Sequence, residues 1–260
     1  NPQVNRNANN YAAWQWKANG GTTASNSSGN ITSTVQANTT AGFSIVKYTG
    51  NGASNQTVGH GLGATPDCLI WKNYDQARSG WNWKVWHKGL SGTNYLILNN
   101  TDAQASSNGD IDALPTSTLF TVGTNGSTND NGYDIVCYAF TSIKGYSKFG
   151  SYSGNQSTDG PFLYFGFKPA FLIVKKTSSA ENWFLIDSKR YPLNTGNIPR
   201  LNPNNTDAES TDSSIAGDFL SNGFKIRATQ NMINESGTYI YMAFAENPFV
   251  APNGVPTTAR

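Results

Sequence analysis

The sequence predicts an all-β protein built from two pseudo-repeated antiparallel β-sandwich units with extended N- and C-terminal arms. Three observations carry that class. Apolar residues fall in short runs, turn-forming residues are abundant, and four sequence blocks recur in the same order. The 260 residues include 26 Gly, and 12% are aromatic, a mixture suited to short strands joined by tight turns. "PDCLIWKN" from Pro66 matches "PAFLIVKK" from Pro169, and "NWKVWH" from Asn82 matches "NWFLID" from Asn182. "NTDA" appears unchanged at Asn100 and Asn205, and "CYAF" ending at Phe140 meets "YMAF" ending at Phe244. The offsets of 103, 100, 105 and 104 residues are nearly constant, the signature of a repeated supersecondary unit. "GFSIVKYTGN" from Gly42 and "GYSKFGSYSGN" from Gly145 mark the two starts. The expected division is an N-terminal arm over 1–41, units over 42–144 and 145–249, and a tail over 250–260.

Within each unit the apolar runs are bounded by Gly, Asn, Ser or Pro, the pattern of strands and not of helices. In the first unit strands are expected near 43–49, 56–60, 67–73, 82–88, 95–99, 118–123 and 133–141. In the second they are expected near 146–152, 162–166, 170–176, 182–187, 199–202, 223–229 and 238–245. Six or seven short strands per unit predict two packed antiparallel sheets. "AQASSNGDID" and "AESTDSSIAG" are each expected to hold one helical turn, since "AGDFLSNGF" sets an apolar pair just before a C-capping Gly223. The N-terminal end is polar and nearly uncharged, interrupted by the apolar "YAAWQWKA", and the closing stretch "ENPFVAPNGVPTTAR" carries three prolines. Both ends read as arms that lie against a larger assembly.

Charge excludes some partners. With 18 Lys+Arg against 16 Asp+Glu, the net charge of +2 gives no electrostatic reason to expect nucleic acid or an anionic membrane. No apolar run approaches the roughly 18 residues of a bilayer span. The opening "NPQVNRNANN" has neither an initiating Met nor a charged-then-apolar signal, so the chain reads as a piece of something longer. Cys68 and Cys137 lie in apolar runs and read as core thiols. A disulfide between them would need neighbouring strands.

"GWNWKVWHKGL" places three tryptophans and a histidine in one short stretch, and the repeat supplies a second sample of each position. Trp83 meets Trp183, Val85 meets Leu185, Trp86 meets Ile186, and Trp71 meets Val174, so these positions are expected to face a core. Trp81 meets Glu181, a charge costly to bury unpaired, which puts that position at the surface. Trp81, with Tyr74 and Arg78 of the loop "NYDQARSGW", is the candidate partner contact, because exposed aromatics anchor sugars and protein interfaces. His60 reads as a hydrogen-bonded turn histidine and His87 as a structural turn or core residue placed to meet it, for the second unit has "YFGFKP" near the first position and Asp187 at the second, so neither imidazole is required. Two histidines without a third ligand do not make a metal site. Asp102 and Asp207 of the paired "NTDA" segments are expected to cap a turn or short helix by holding backbone N–H groups. Lys72 and Lys175, present in both copies, are candidate salt partners. The sequence has no nucleophile elbow, no phosphate-binding Gly-rich loop and no His-Glu-x-x-His. Neither an enzyme nor a cofactor is expected.

"YAAWQWKANGG", "GFSIVKYTGNG", "TVGHGLGATPDCLIWKN", "WKVWHKGL", "YLILNNTDA" and "DIVCYAF" together resemble an uncharacterised repeat domain of tailed-phage virion proteins, many from marine hosts. In those proteins it often follows a concanavalin-like lectin module. The resemblance covers about residues 11–249. It implies a structural component of the virion surface, of tail-fibre or appendage type, that contacts the host through loops. Its implied partners are other virion proteins, further copies in a homo-oligomer and a host cell-surface glycan or protein. The rival readings are a capsid decoration or purely architectural protein, and a glycan-degrading depolymerase. The last needs a pair of carboxylates about 5–10 Å apart.

Overall fold

Strand after strand begins and ends within a few residues of a turn residue. The computed structural model describes residues 7–8, 10–18, 21–75, 81–191, 194 and 196–246. The first part of the chain forms β1 (Ala24–Asn26), β2 (Ser33–Asn38), β3 (Phe43–Thr49), β4 (Gln56–Gly59), β5 (Cys68–Asn73), β6 (Lys84–His87), β7 (Leu96–Ile97), β8 (Ile111–Ala113), β9 (Leu119–Val122), the four-residue helix α1 (Gly126–Asn129) and β10 (Asp134–Phe140). The second forms β11 (Ser147–Gly154), β12 (Phe162–Tyr164), β13 (Pro169–Lys176), β14 (Phe184–Asp187), β15 (Asn197–Arg200), β16 (Ser210–Leu220), β17 (Gly223–Ile226) and β18 (Gly237–Ala245).

Four sheets result, in the orders β1-β2-β3-β10-β5-β6-β7, β4-β9-β8, β11-β18-β13-β14 and β12-β17-β16-β15. Every pairing between these strands is antiparallel. The orders correspond between the two parts. The run β3-β10-β5-β6 follows the same path as β11-β18-β13-β14, and β4-β9 the same path as β12-β17.

The period-two alternation of side chains assigns each face to a core. Val46 and Tyr48 of β3, Trp71 of β5 and Ile135 of β10 meet Val58, Phe120 and Val122 of the three-stranded sheet. Leu172, Val174, Phe184 and Tyr239 meet Leu163, Ile215, Phe224 and Ile226 in the equivalent place of the second part. A third core joins the two parts: Phe43, Cys68, Val85 and Phe140 of the seven-stranded sheet pack on Phe149, Phe171, Ile173, Trp183 and Phe244. The sheets are therefore stacked in four layers with three apolar seams. Burying each such large side chain is worth about 1.5–3 kcal/mol, so the seam between the parts binds them as a core does.

Several elements differ from the sequence expectation. Residues 24–38, read as part of an arm, form β1 and β2 and extend the first unit's sheet through β3. The two segments expected to hold helical turns contribute β8 and β16 instead. In β16 the buried apolar residues are Ile215 and Phe219, four apart, a spacing that fits one face of a helix and one face of a strand equally well. Pairing with β17 decides it, through Gly217↔Ile226 and Phe219↔Phe224. Among the described residues the one short helix, α1, lies where no helix is expected; Asn125 caps it by accepting the N–H of Ser127 at 2.9 Å.

Candidate functional site

The tryptophan-rich stretch forms β6 and its approach. Trp86 and Trp71 are buried in the first unit's core, and Trp183 is buried in the seam, where its Nε1 donates to the Ile97 carbonyl at 2.8 Å. Trp83 departs from expectation. It is only half-buried, because its face of β6 runs beyond the area covered by the second unit. Its ring lies nearly parallel to that of Tyr138, at 6.4 Å and 15°.

Trp81 is also half-buried, and its ring lies over α1. A Cβ placed on Gly126 would sit 2.3 Å from Trp81 Cζ2, so only glycine lets the indole settle there. Lys72 Nζ donates to the Trp81 carbonyl. Tyr74 is 43% exposed on the opposite face of the seven-stranded sheet, in line with Ile70 and Lys72 of β5. Its hydroxyl donates to Asp134 Oδ2 at 3.3 Å, and Lys47 pairs with the same oxygen at 2.9 Å. Trp81 and Tyr74 therefore do not form one patch. Arg78 lies outside the described residues.

Both histidines hold turns. Nδ1 of His60 accepts the N–H of Leu62 at 3.2 Å, and Nε2 donates to the Thr116 carbonyl at 3.2 Å. Nδ1 of His87 accepts from Gly89 at 3.0 Å, and Nε2 donates across the seam to the Tyr241 carbonyl at 3.2 Å. These partners fix the neutral Nε2–H tautomer in each ring. Burial pushes the His87 pKa down to about 4, against a smaller opposing pull from the Tyr241 carbonyl, and burial lowers that of His60 as well. Asp187, at the place of His87, accepts the N–H of Lys189 at 3.0 Å. The fold thus requires an acceptor there and not an imidazole. The two histidines lie on opposite sides of the seven-stranded sheet and do not meet.

The "NTDA" segments are turns in which the asparagine does the holding. Asn100 Oδ1 accepts the N–H of Asp102 at 3.0 Å and Asn205 Oδ1 that of Asp207 at 3.1 Å, while each carboxylate accepts from its asparagine amide. The expectation that Asp102 and Asp207 hold backbone N–H groups is corrected accordingly. Lys72 is partly exposed. Lys175 is fully buried and donates to the carbonyls of Lys176 at 2.8 Å and Thr101 at 3.2 Å. Burial pulls its pKa down to about 8. Cys68 and Cys137 are free and buried on opposite faces of the same sheet, in different cores. Among the described residues no three His, Cys, Asp or Glu side chains converge as a metal site.

The feature that residue-by-residue reading missed lies where the seam gapes. A cleft of about 400 Å³ opens between Phe43, Ile45, Ile70, Trp83, Leu98 and Tyr138 on one side and Phe171, Ile173, Trp183 and Met242 on the other. Trp83, Tyr138 and Phe43 form a flat wall, successive rings being tilted by 15° and 9°. At one end the N-terminal segment closes it: Trp16 packs against Phe171 at 5.4 Å and Phe244 at 5.2 Å, and Trp14 against Phe171 at 5.8 Å. Tyr74, Lys47 and Asp134 lie further along the same sheet face. Such a recess gains free energy by burying apolar surface, with few groups to hydrogen-bond a polar ligand. The sequence signal was present in "YAAWQWKA", whose tryptophans need a partner surface.

Fold and cleft together define a class: a multi-sheet module of antiparallel strands whose prominent site is an apolar cleft. The chain belongs to the family described as "Domain of unknown function (DUF7483)", whose model matches residues 1–248. Neither the curated proteins nor the solved structures contain a match.

Proposed function

We propose that the chain is a non-catalytic structural protein of the surface of a tailed-phage particle, and that it meets the host through the mouth of the aromatic cleft and the exposed Tyr74 beside it. The observation that carries this reading is the cleft, an open aromatic recess in a weakly charged chain. Exposed apolar patches of that kind mark interaction sites. The sequence resemblance supports the virion setting. A strand-rich body with many turns suits an appendage exposed to solvent, and neighbouring copies would cover sheet edges such as β1.

A second reading, an architectural protein without a receptor, is favoured by the seating of Trp14 and Trp16 at one end of the recess. That end already holds an extended protein segment. Labelled chain applied to host cells and to particles stripped of it separates the two. Saturable host binding that Trp83→Ala abolishes and Trp81→Ala preserves supports the first reading. Binding confined to stripped particles supports the second. Antibodies against the chain that fail to label intact or disrupted particles would sink both.

A further inference from the structure

We propose that Lys84 and Asp110 are joined by an intramolecular amide bond between Nζ and Cγ, a covalent staple between the two sheets of the first unit. Lys84 stands on β6 of the seven-stranded sheet, and Asp110 immediately precedes β8 of the three-stranded sheet. Their side chains are 7% and 0% exposed, with Nζ 3.1 Å from Oδ2. Asp110 is held in place from both sides. Its carbonyl accepts Thr128 Oγ1 at 2.8 Å, and the next N–H, of Ile111, donates to Ser107 Oγ at 2.8 Å. The lysine nitrogen is fixed in turn over the Tyr95 ring, 3.5 Å from its centre.

Three features set this pair apart from an ordinary ion pair. Asp110 Oδ1 is buried without a hydrogen-bond partner, which a lasting carboxylate could ill sustain. Burial also raises the carboxyl pKa, favouring the neutral acid, the form an amine can attack. Thirdly, Phe184 fills the place of Lys84 in the second unit, fully buried, so the fold does not demand a charge at this position. Immobile groups at this separation react as though at very high concentration.

The step balances without a co-reactant. A proton passes from the Lys84 ammonium to the Asp110 carboxylate along their hydrogen bond, leaving amine and acid. The amine lone pair attacks Cγ, the C–N bond forms, one Cγ–O bond breaks, and that oxygen leaves as water with the protons released. Nothing is oxidised or reduced.

Intact mass spectrometry of the denatured full-length chain tests this. The expected result is a chain lighter by one water than its sequence requires, with digestion yielding a branched peptide that joins Lys84 to Asp110. Lys84→Arg keeps the positive charge but supplies no nucleophilic amine, and should restore the full mass. In Asp110→Asn the same amide would form with loss of ammonia, giving a product of the same mass as the wild type. A wild-type chain of full mass overturns the proposal, as does a water loss that maps elsewhere, for instance to the Asp159–Gly160 step.

Discussion

The two units solve the same folding problem, and their agreements are as instructive as their departures. Both bury an asparagine that ties three segments together. Asn129 Nδ2 donates to Gly123 O at 2.7 Å, Ala53 O at 2.8 Å and Asn51 Oδ1 at 3.2 Å, while its Oδ1 accepts the N–H of Asn51 at 2.9 Å. Asn234 does the same with Ala228 O at 2.7 Å, Ser157 O at 2.7 Å, Asn155 Oδ1 at 3.0 Å and the N–H of Asn155 at 2.9 Å. In each unit a tyrosine, Tyr48 or Tyr152, donates its hydroxyl to the carbonyl just before that asparagine. The shared framework is thus polar as well as apolar. The departures gather on β6 and β14, where Lys84 stands against Phe184, His87 against Asp187 and a half-buried Trp83 against a buried Trp183. Lys84 and Phe184 face the cores inside their own units, whereas Trp83, Trp183 and His87 face the seam and cleft between them, so the differences fall on both faces of these strands.

Four measurements would break or sharpen this comparison. The largest contrast is expected between the paired tryptophans. Trp183→Ala should cost about 4 kcal/mol in denaturant unfolding, against about 1 kcal/mol for the half-exposed Trp83→Ala. Equal losses would mean that the seam does not bind the units as a core. Next come the buried asparagines: Asn129→Ala and Asn234→Ala should each cost about 3–4 kcal/mol, because several buried polar groups are orphaned at once. A small loss in one unit alone would show that the clasps are not equivalent.

Acid should separate the units at the place of His87. Its folded pKa, about 4, lies below the ordinary value of 6.5, so the unfolded chain binds the extra proton between those values. Stability therefore falls as pH drops from 6.5 to 4, by about 3 kcal/mol for this group. His60 has the same sign. His87→Asn keeps a turn acceptor and removes the titration, so the gap between variant and wild type should close on the acid side. The smallest expected effect concerns Lys175. Held near 8 against 10.5, it costs stability while charged. Relative to Lys175→Met, the wild type should therefore gain about 2–3 kcal/mol as pH rises from 8 to 10.5.

Much of the scaffold was legible because short apolar runs bounded by Gly, Asn and Pro carry the period of a strand wherever one face is buried. β3 was placed at its observed bounds, and β5, β10 and β13 to within a residue or two. Where a strand is polar, as in β2 with Val35 its one buried apolar side chain, the same signal fades and composition reads as an arm. Trp71, Trp86 and Trp183 were rightly assigned to cores, but Trp83 was not. An apolar residue in both copies says that apolar contact is available, not that the contact closes over the side chain. The buried asparagines went unread because polar Asn is common in this chain and nothing local distinguishes a clasp from a turn.

By itself, the sequence determined that the chain is all-β, where most strands lie, and that Asp187 stands at the position matching His87, since these depend on local alternation and turn chemistry. Only the tertiary structure decided that the two units share a third apolar seam, that it gapes into an aromatic cleft, and that Lys84 reaches Asp110. Those facts depend on how far one sheet overlaps the next. Overlap is set by the summed packing of residues remote in the chain, which no local period records.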